Sequence, residues 1–236
     1  MLIAARNAML VESGFTARDY VQDGLIAMWD GIENAGWGVH SDSLPIDLIG
    51  GVSLSSAGGI IIGNDSFTAP SSKWLYADIP QFVAAVNNKN FACEIILSGE
   101  RGANNGIFGL GNTNDRGIWI YGNANYNIST VNIMATGYLE AINPFFASND
   151  RFSISVVGGT SPVVYINNNG TTASYGSLTS LIPNPVCIGN IGRNSSFSSA
   201  AKTFYSVRLY NRALTADEIA HNSAIDKARF NLPDAA

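Results

Sequence analysis

Asp30 and Glu33, in the segment Asp-Gly-Ile-Glu-Asn, offer a pair of acids of the kind that cleaves glycosidic bonds. Two carboxyl groups ~5 Å apart let one attack the sugar carbon while the other protonates the leaving oxygen. The same residues also suit a strand end running into a turn, where Asp and Asn accept backbone hydrogen bonds, and this plainer reading is preferred. Glu94 and Glu140 stand alone in their segments. His40 and His221 are far apart and lack ligand-spaced partners, so neither a zinc site nor a nucleophile triad is expected. No Gly-x-Ser-x-Gly elbow is present. The glycines of GIFGLGN (106–112) lack the Lys-Ser/Thr of a phosphate loop and read as strand ends and turns. No catalytic centre is expected.

Binding chemistry has a better case. Aromatic faces stack on the C–H surfaces of sugars, and amide side chains bond their hydroxyls. The segment GIWIYGNANYNIS (117–129) offers both, with Trp119 and Tyr121 on one face of a strand and Asn123, Tyr126 and Asn127 in the loop that follows. Alternation does not say whether Trp119 and Tyr121 or Ile118 and Ile120 face the core, and inward packing is the commoner fate of large aromatics. Trp37 and Trp74 lie in loop-like contexts and are secondary candidates. Trp29 reads as core. No metal or cofactor is expected as a fixture. Calcium stays open through Asp30, Asp47, Asp65 and Asn64, single acids whose oxygens would have to converge from separate loops.

Composition narrows the classes. The 236 residues are 46% hydrophobic, which suits a chain with a sizeable core and excludes disorder. Charged residues are only 13%, so the surface must be carried by Asn, Ser, Thr and Gly. The formal net charge is -5, and no basic stripe exists to neutralise phosphates, so nucleic-acid binding is not expected. The N-terminal apolar stretch is broken by Arg6 and Asn7, so no signal peptide is read and synthesis in the cytoplasm is expected, with a place on a particle or surface left open. No run approaches ~18 apolar residues, and no membrane helix is expected. Cys93 and Cys187 sit in apolar, strand-like runs. Two free core thiols are the default reading, and a bridge between neighbouring strands is the alternative.

The elements that must position these residues are mostly short strands. GLIAMWDGI (24–32), IDLIGG, GGIIIGND, FACEIILSG, GIFGLG, GIWIYG, FSISVVG, PVVYINN and PVCIGNIG are apolar runs bounded by Gly, Asn, Asp or Pro. Their repetition without intervening amphipathic helices predicts antiparallel sheets in a sandwich or barrel. In RFSISVV, Phe152, Ile154 and Val156 point one way while Ser153 and Ser155 point the other. VVYINNNGTT is a hairpin whose tight turn is placed at Asn169-Gly170. Residues 1–20 have a helical rhythm in Leu2, Ile3, Met9 and Leu10, ended by Gly14, and are read as an arm for the sandwich or for self-association. Near the C-terminus, Thr215 and Glu218 form a capping box, with Leu214 and Ile219 as a hydrophobic staple. A short helix is therefore predicted over 216–226, closing the end of the sandwich.

YSVRLYNRALTADEIAHN (205–222) resembles the final strand and closing helix of concanavalin A-like lectin/glucanase domains of the laminin-G-like type. GLIAMWDG resembles their opening strand, SVVGGTSPVVYINNNG their late hairpin and VCIGN the strand before the final segment, so the resemblance covers about 24–230. It implies an all-β, two-sheet antiparallel jelly-roll sandwich over residues 21–236, with short N- and C-terminal helices. A looser likeness, in YVQDGLIAMWDGIENAGWG and IDKARFNL, is to sandwich proteins of prophage-like gene clusters in gut bacteria. The glucanase branch uses an E-x-D-x-x-E-like strand, which this chain lacks, so no enzymatic role carries over. The expectation is a non-catalytic carbohydrate-binding sandwich. The alternative is a structural or assembly protein of a phage-like particle or appendage, and a glycoside hydrolase comes a distant third.

Overall fold

The structure is a computed structural model that describes residues 14–35, 44–99, 105–111, 116–123, 128–135, 151–181, 184–192 and 200–232. The predicted N-terminal helix at 1–13 lies outside the described residues. Within them the chain is an all-β sandwich of two antiparallel sheets.

The first sheet contains β1 (Leu25–Asp30), β3 (Ile61–Ile62), β4 (Phe67–Ala69), β6 (Ala92–Gly99), β10 (Phe152–Val157), β11 (Val163–Ile166), β12 (Asn169–Thr172) and β14 (Lys202–Tyr210). Its order is β12-β11-β10-β6-β14-β4-β3. β14 is long enough to serve two neighbours on one edge. Residues 202–204 pair with β4, and residues 206–210 pair with β1. The second sheet contains β2 (Ser55–Ser56), β5 (Leu75–Ala77), β7 (Asn105–Gly111), β8 (Arg116–Asn123), β9 (Ile128–Ala135) and β13 (Val186–Ile188), in the order β2-β5-β13-β7-β8-β9.

Period-2 alternation sends one set of side chains from each sheet into a shared core. Cys93, Ile95 and Leu97 of β6, Phe152, Ile154 and Val156 of β10, and Val207 and Leu209 of β14 meet Phe108, Leu110, Ile118, Ile120, Val131 and Ile133 of the second sheet. A bulge at Phe204/Ser206 puts Tyr205 as well as Ser206 outside this core and keeps Phe204 and Val207 within it.

Several expectations are corrected. GLIAMWDGI ends as a strand at Asp30, and a five-residue helix, α1 (Gly31–Ala35), follows. IDLIGG is a turn, because the Asp47 carboxylate captures the backbone N–H groups of Met28, Ile49, Gly50 and Val52. A helix does intervene between strands: α2 (Pro80–Asn87) buries Phe82, Val83, Ala85 and Val86. The hairpin turn lies at Asn167-Asn168, two residues before the expected pair. Both residues have positive φ, 46° and 67°, as a two-residue hairpin turn requires.

The C-terminal helix, α3 (Ala216–Phe230), has the expected capping box and runs four residues further than expected. It does not close the end of the sandwich. It lies on the outward face of the first sheet, where Asn222, Asp226 and Arg229 reach Glu94, Arg208 and Asp30 of three strands. Residues 14–21 join the same layer, with Tyr20 buried against Arg208, whose guanidinium stands 4.0 Å from the ring centroid.

Candidate functional site

The outward face of the second sheet is where the aromatic candidates meet. Ile118 and Ile120 belong to the inter-sheet core, which turns Trp119 and Tyr121 to the opposite face of β8. The register sets Trp119 between Gly109 of β7 and Asn132 of β9. Beyond Gly109, Cys187 and Tyr76 continue the same row across β13 and β5.

This face is not open. Trp119 is 2% exposed and Tyr121 5%, and both pack with Ile191. The segment 189–191, leaving β13, folds back across the sheet. Its backbone lies so close to β7 that a Cβ on Gly109 would fall 2.1 Å from the Ile191 carbonyl oxygen. Only glycine admits this contact. Lys202, buried at the start of β14, anchors the segment by donating from Nζ to the Gly189 carbonyl at 2.9 Å. Burial holds the Lys202 amine down at about 8. Trp74 lies at the root of this segment, its Cα beside Gly189, and its buried indole N–H meets no acceptor among the described residues.

Trp119 and Tyr121 are thus brought together on one face of the second sheet under Ile191, and the Trp74 backbone lies beside Gly189. Asn123 is the last residue of β8, and its side chain lies outside the described residues, as do Trp37, Tyr126 and Asn127. Sequence reasoning missed three participants, Asn132, Gly109 and Ile191. The alternation Val131-Asn132-Ile133 was the available signal for the first.

The acids considered for chemistry are committed to structural partners. Asp30 is fully buried in a two-point pair with Arg229, at 2.7 and 3.1 Å, and also accepts from the Glu33 amide at 3.0 Å. Burial raises its carboxyl even so, with Arg229 pulling the other way. Glu33 lies 3.7 Å from the same arginine. Asp65 pairs with Arg151 at 2.8 Å, and Asp47 is the turn-former described above. Glu94 accepts from Arg208 at 3.0 Å and Asn222 at 2.7 Å. Its carboxyl is raised by burial against the pull of Arg208. Among the described residues no group of three or more His, Cys, Asp or Glu could hold a metal ion, and no helix is long and apolar enough to cross a membrane. His221 contacts the Asp19 carbonyl oxygen. His40 lies outside the described residues. Cys93 and Cys187 are both buried and are not joined in a disulfide, one facing the core and the other the outward face of the second sheet. Burial pushes the Cys93 thiol up to about 12.

No family model and no curated protein matches this chain. Solved structures do. The binding domain of botulinum neurotoxin DC in complex with SialylT is similar at a TM-score of 0.63 and 13% identity, over 86% of this chain and 52% of that one. A structure of botulinum neurotoxin type C, described as entering cells through two ganglioside molecules, is similar at 0.62 and 16%, over 85% and 51%. The DC binding domain in complex with rat synaptotagmin II is similar at 0.63 and 14%, over 85% and 52%. At these identities the likeness is one of fold. The chain spans about half the length of the solved structures it matches.

Proposed function

We propose that this chain is a non-catalytic, carbohydrate-binding sandwich of the laminin-G-like kind. Its ligand would meet the second sheet where β8 passes to β9. The observation that carries the reading is the placement of Trp119 and Tyr121 outside the inter-sheet core, on the face where Asn132 also stands. Both aromatics are covered, so their part is to form a rigid floor. The contacts themselves fall to Asn123, Tyr126 and Asn127 in and after the end of β8, with Trp74 at the rim. Trp37 is a further candidate. The similar solved domains lend support, because two of them are described with SialylT or with gangliosides. The commitment of Asp30 and Glu94 to arginines supports the non-catalytic half of the reading, since a carboxylate buried against a guanidinium is poorly placed to attack or protonate a substrate. A glycan array probed with the labelled chain tests the proposal. Binding to a defined set of glycans, lost in Tyr126→Ala, is the expected result, and binding to none would overturn it.

A further inference from the structure

A groove runs along α2, lined also by residues just after β5 and just before β13. Along α2, Pro80, Val83, Ala84 and Asn87 recur at the spacing that places residues on one helical stripe. This stripe, the preceding Asp78 and Ile79, and Asn184 opposite line a groove of about 320 Å³. That volume is at the small end of ligand pockets, suited to a single ring rather than an extended chain.

Ile79 and Val83 are fixed in the core, so the apolar floor is preformed. The rim is polar. No side chain caps the first turn of α2. Asp78 is exposed at the rim, where its carboxylate can accept from a ligand. Asn87 is oriented by accepting the Leu181 amide at 2.7 Å through its Oδ1, which leaves the two donors of its Nδ2. Among the described residues, Asp78 is the one titratable group in the lining. Lys89, two residues past Asn87, is turned onto the Tyr175 ring at 4.5 Å.

We infer that this groove binds a single-ring polyol, neutral or amino-substituted, whose hydroxyls donate to Asp78 and accept from Asn87 while its C–H face rests on Ile79 and Val83. Anionic sugars are disfavoured, because their carboxylate would face Asp78, and no cation among the described lining residues offsets it. The inference goes beyond the proposed function and uses none of the residues assigned to it except in sharing a ligand class.

An amide-resolved NMR titration of the whole chain with methyl glucoside, glucosamine and N-acetylneuraminic acid separates the outcomes. The neutral and amino sugars should shift Gln81–Asn87 and Asn184 saturably. The acidic sugar should bind about tenfold more weakly, as one like-charge contact in partly solvated surroundings implies. Ala84→Trp should fill the groove and remove the shifts, and Asp78→Asn should bring the acidic sugar level with the neutral one. Saturable shifts confined to 116–135 would overturn this inference and leave the proposed function standing. Shifts confined to α2 would support this inference and leave the proposed function to the array. Absence of shifts at α2 with both favoured sugars, or unchanged binding by Ala84→Trp, would also overturn it.

Discussion

Arg208 and Asp226 meet in a two-point ion pair, Nη1 to Oδ1 at 2.7 Å and Nη2 to Oδ2 at 2.6 Å, with neither side chain more than 2% exposed. The same guanidinium bonds Glu94 through Nε, so one arginine of β14 ties a strand to its left and a helix above. Arg229 repeats the device in reverse, reaching from α3 down to Asp30 of β1. The helix is thus seated on its sheet by charge as well as by Ile219, Ile225 and Phe230.

Breaking a buried pair leaves the surviving charge uncompensated, which is far costlier than losing an exposed one. Arg208→Met leaves the Glu94 and Asp226 carboxylates buried without their cation and should therefore destabilise the fold by about 3–5 kcal/mol. Asp23→Asn removes a carboxylate that is 86% exposed from Arg212 and should cost less than about 1 kcal/mol. Urea unfolding of the two variants beside the parent checks the contrast, and similar midpoints would contradict it.

Lys202 predicts a pH dependence of definite sign. Its amine is held at about 8 in the folded chain against an ordinary value of 10.5, so between these values the unfolded chain binds more protons. Stability from this group is complete above about 10.5 and is lost as pH falls through about 8. The Lys202→Met variant lacks that dependence. Its stability relative to the parent should be greatest at and below pH 8 and should decline as pH rises towards 10.5, read from denaturant midpoints across that range.

The hairpin turn offers a stabilising change. Asn168 has a φ of 67°, a conformation that glycine adopts without strain, so Asn168→Gly should raise stability by about 0.5–1 kcal/mol. Asn167 is different, because its Oδ1 accepts the Ser153 amide at 2.9 Å. Asn167→Gly gains the same freedom and loses that bond, so it should stabilise less or not at all. Thermal unfolding of the two variants distinguishes the positions.

How much of this was legible depended on whether a signal was local. The capping box at Thr215 and Glu218 is a contact over three residues, and the sequence predicts it correctly. The alternation of Phe152, Ile154 and Val156 with two serines is local too, and the core receives the expected set. The seat of α3 was not legible. Glu94, Arg208 and Asp226 are separated by up to 132 positions, and nothing in FACEIIL announces that its second face is covered by a polar-striped helix. The same double covering explains why residues 92–97 of β6 are apolar on both faces apart from Glu94, with Ile96 in one cluster with Phe230 of the helix. Strands such as Phe67–Ala69 and Leu75–Ala77 are only three residues long, too short to show a period. At the candidate site, alternation correctly placed Trp119 and Tyr121 on a shared face of β8 but could not say which face. Ile191, which covers them, comes from a segment some 70 residues away and carries no mark of that role.

The central claim is that the end of β8 and the residues that follow form a carbohydrate-binding surface. Titration calorimetry with the strongest array glycan, comparing the parent chain with Tyr126→Ala and Asn127→Ala, tests it most directly. Loss of about 1–3 kcal/mol of binding free energy in each variant, as for removal of a stacking ring or of a hydrogen bond made to a ligand, is the predicted result. Undiminished affinity in both variants would contradict it.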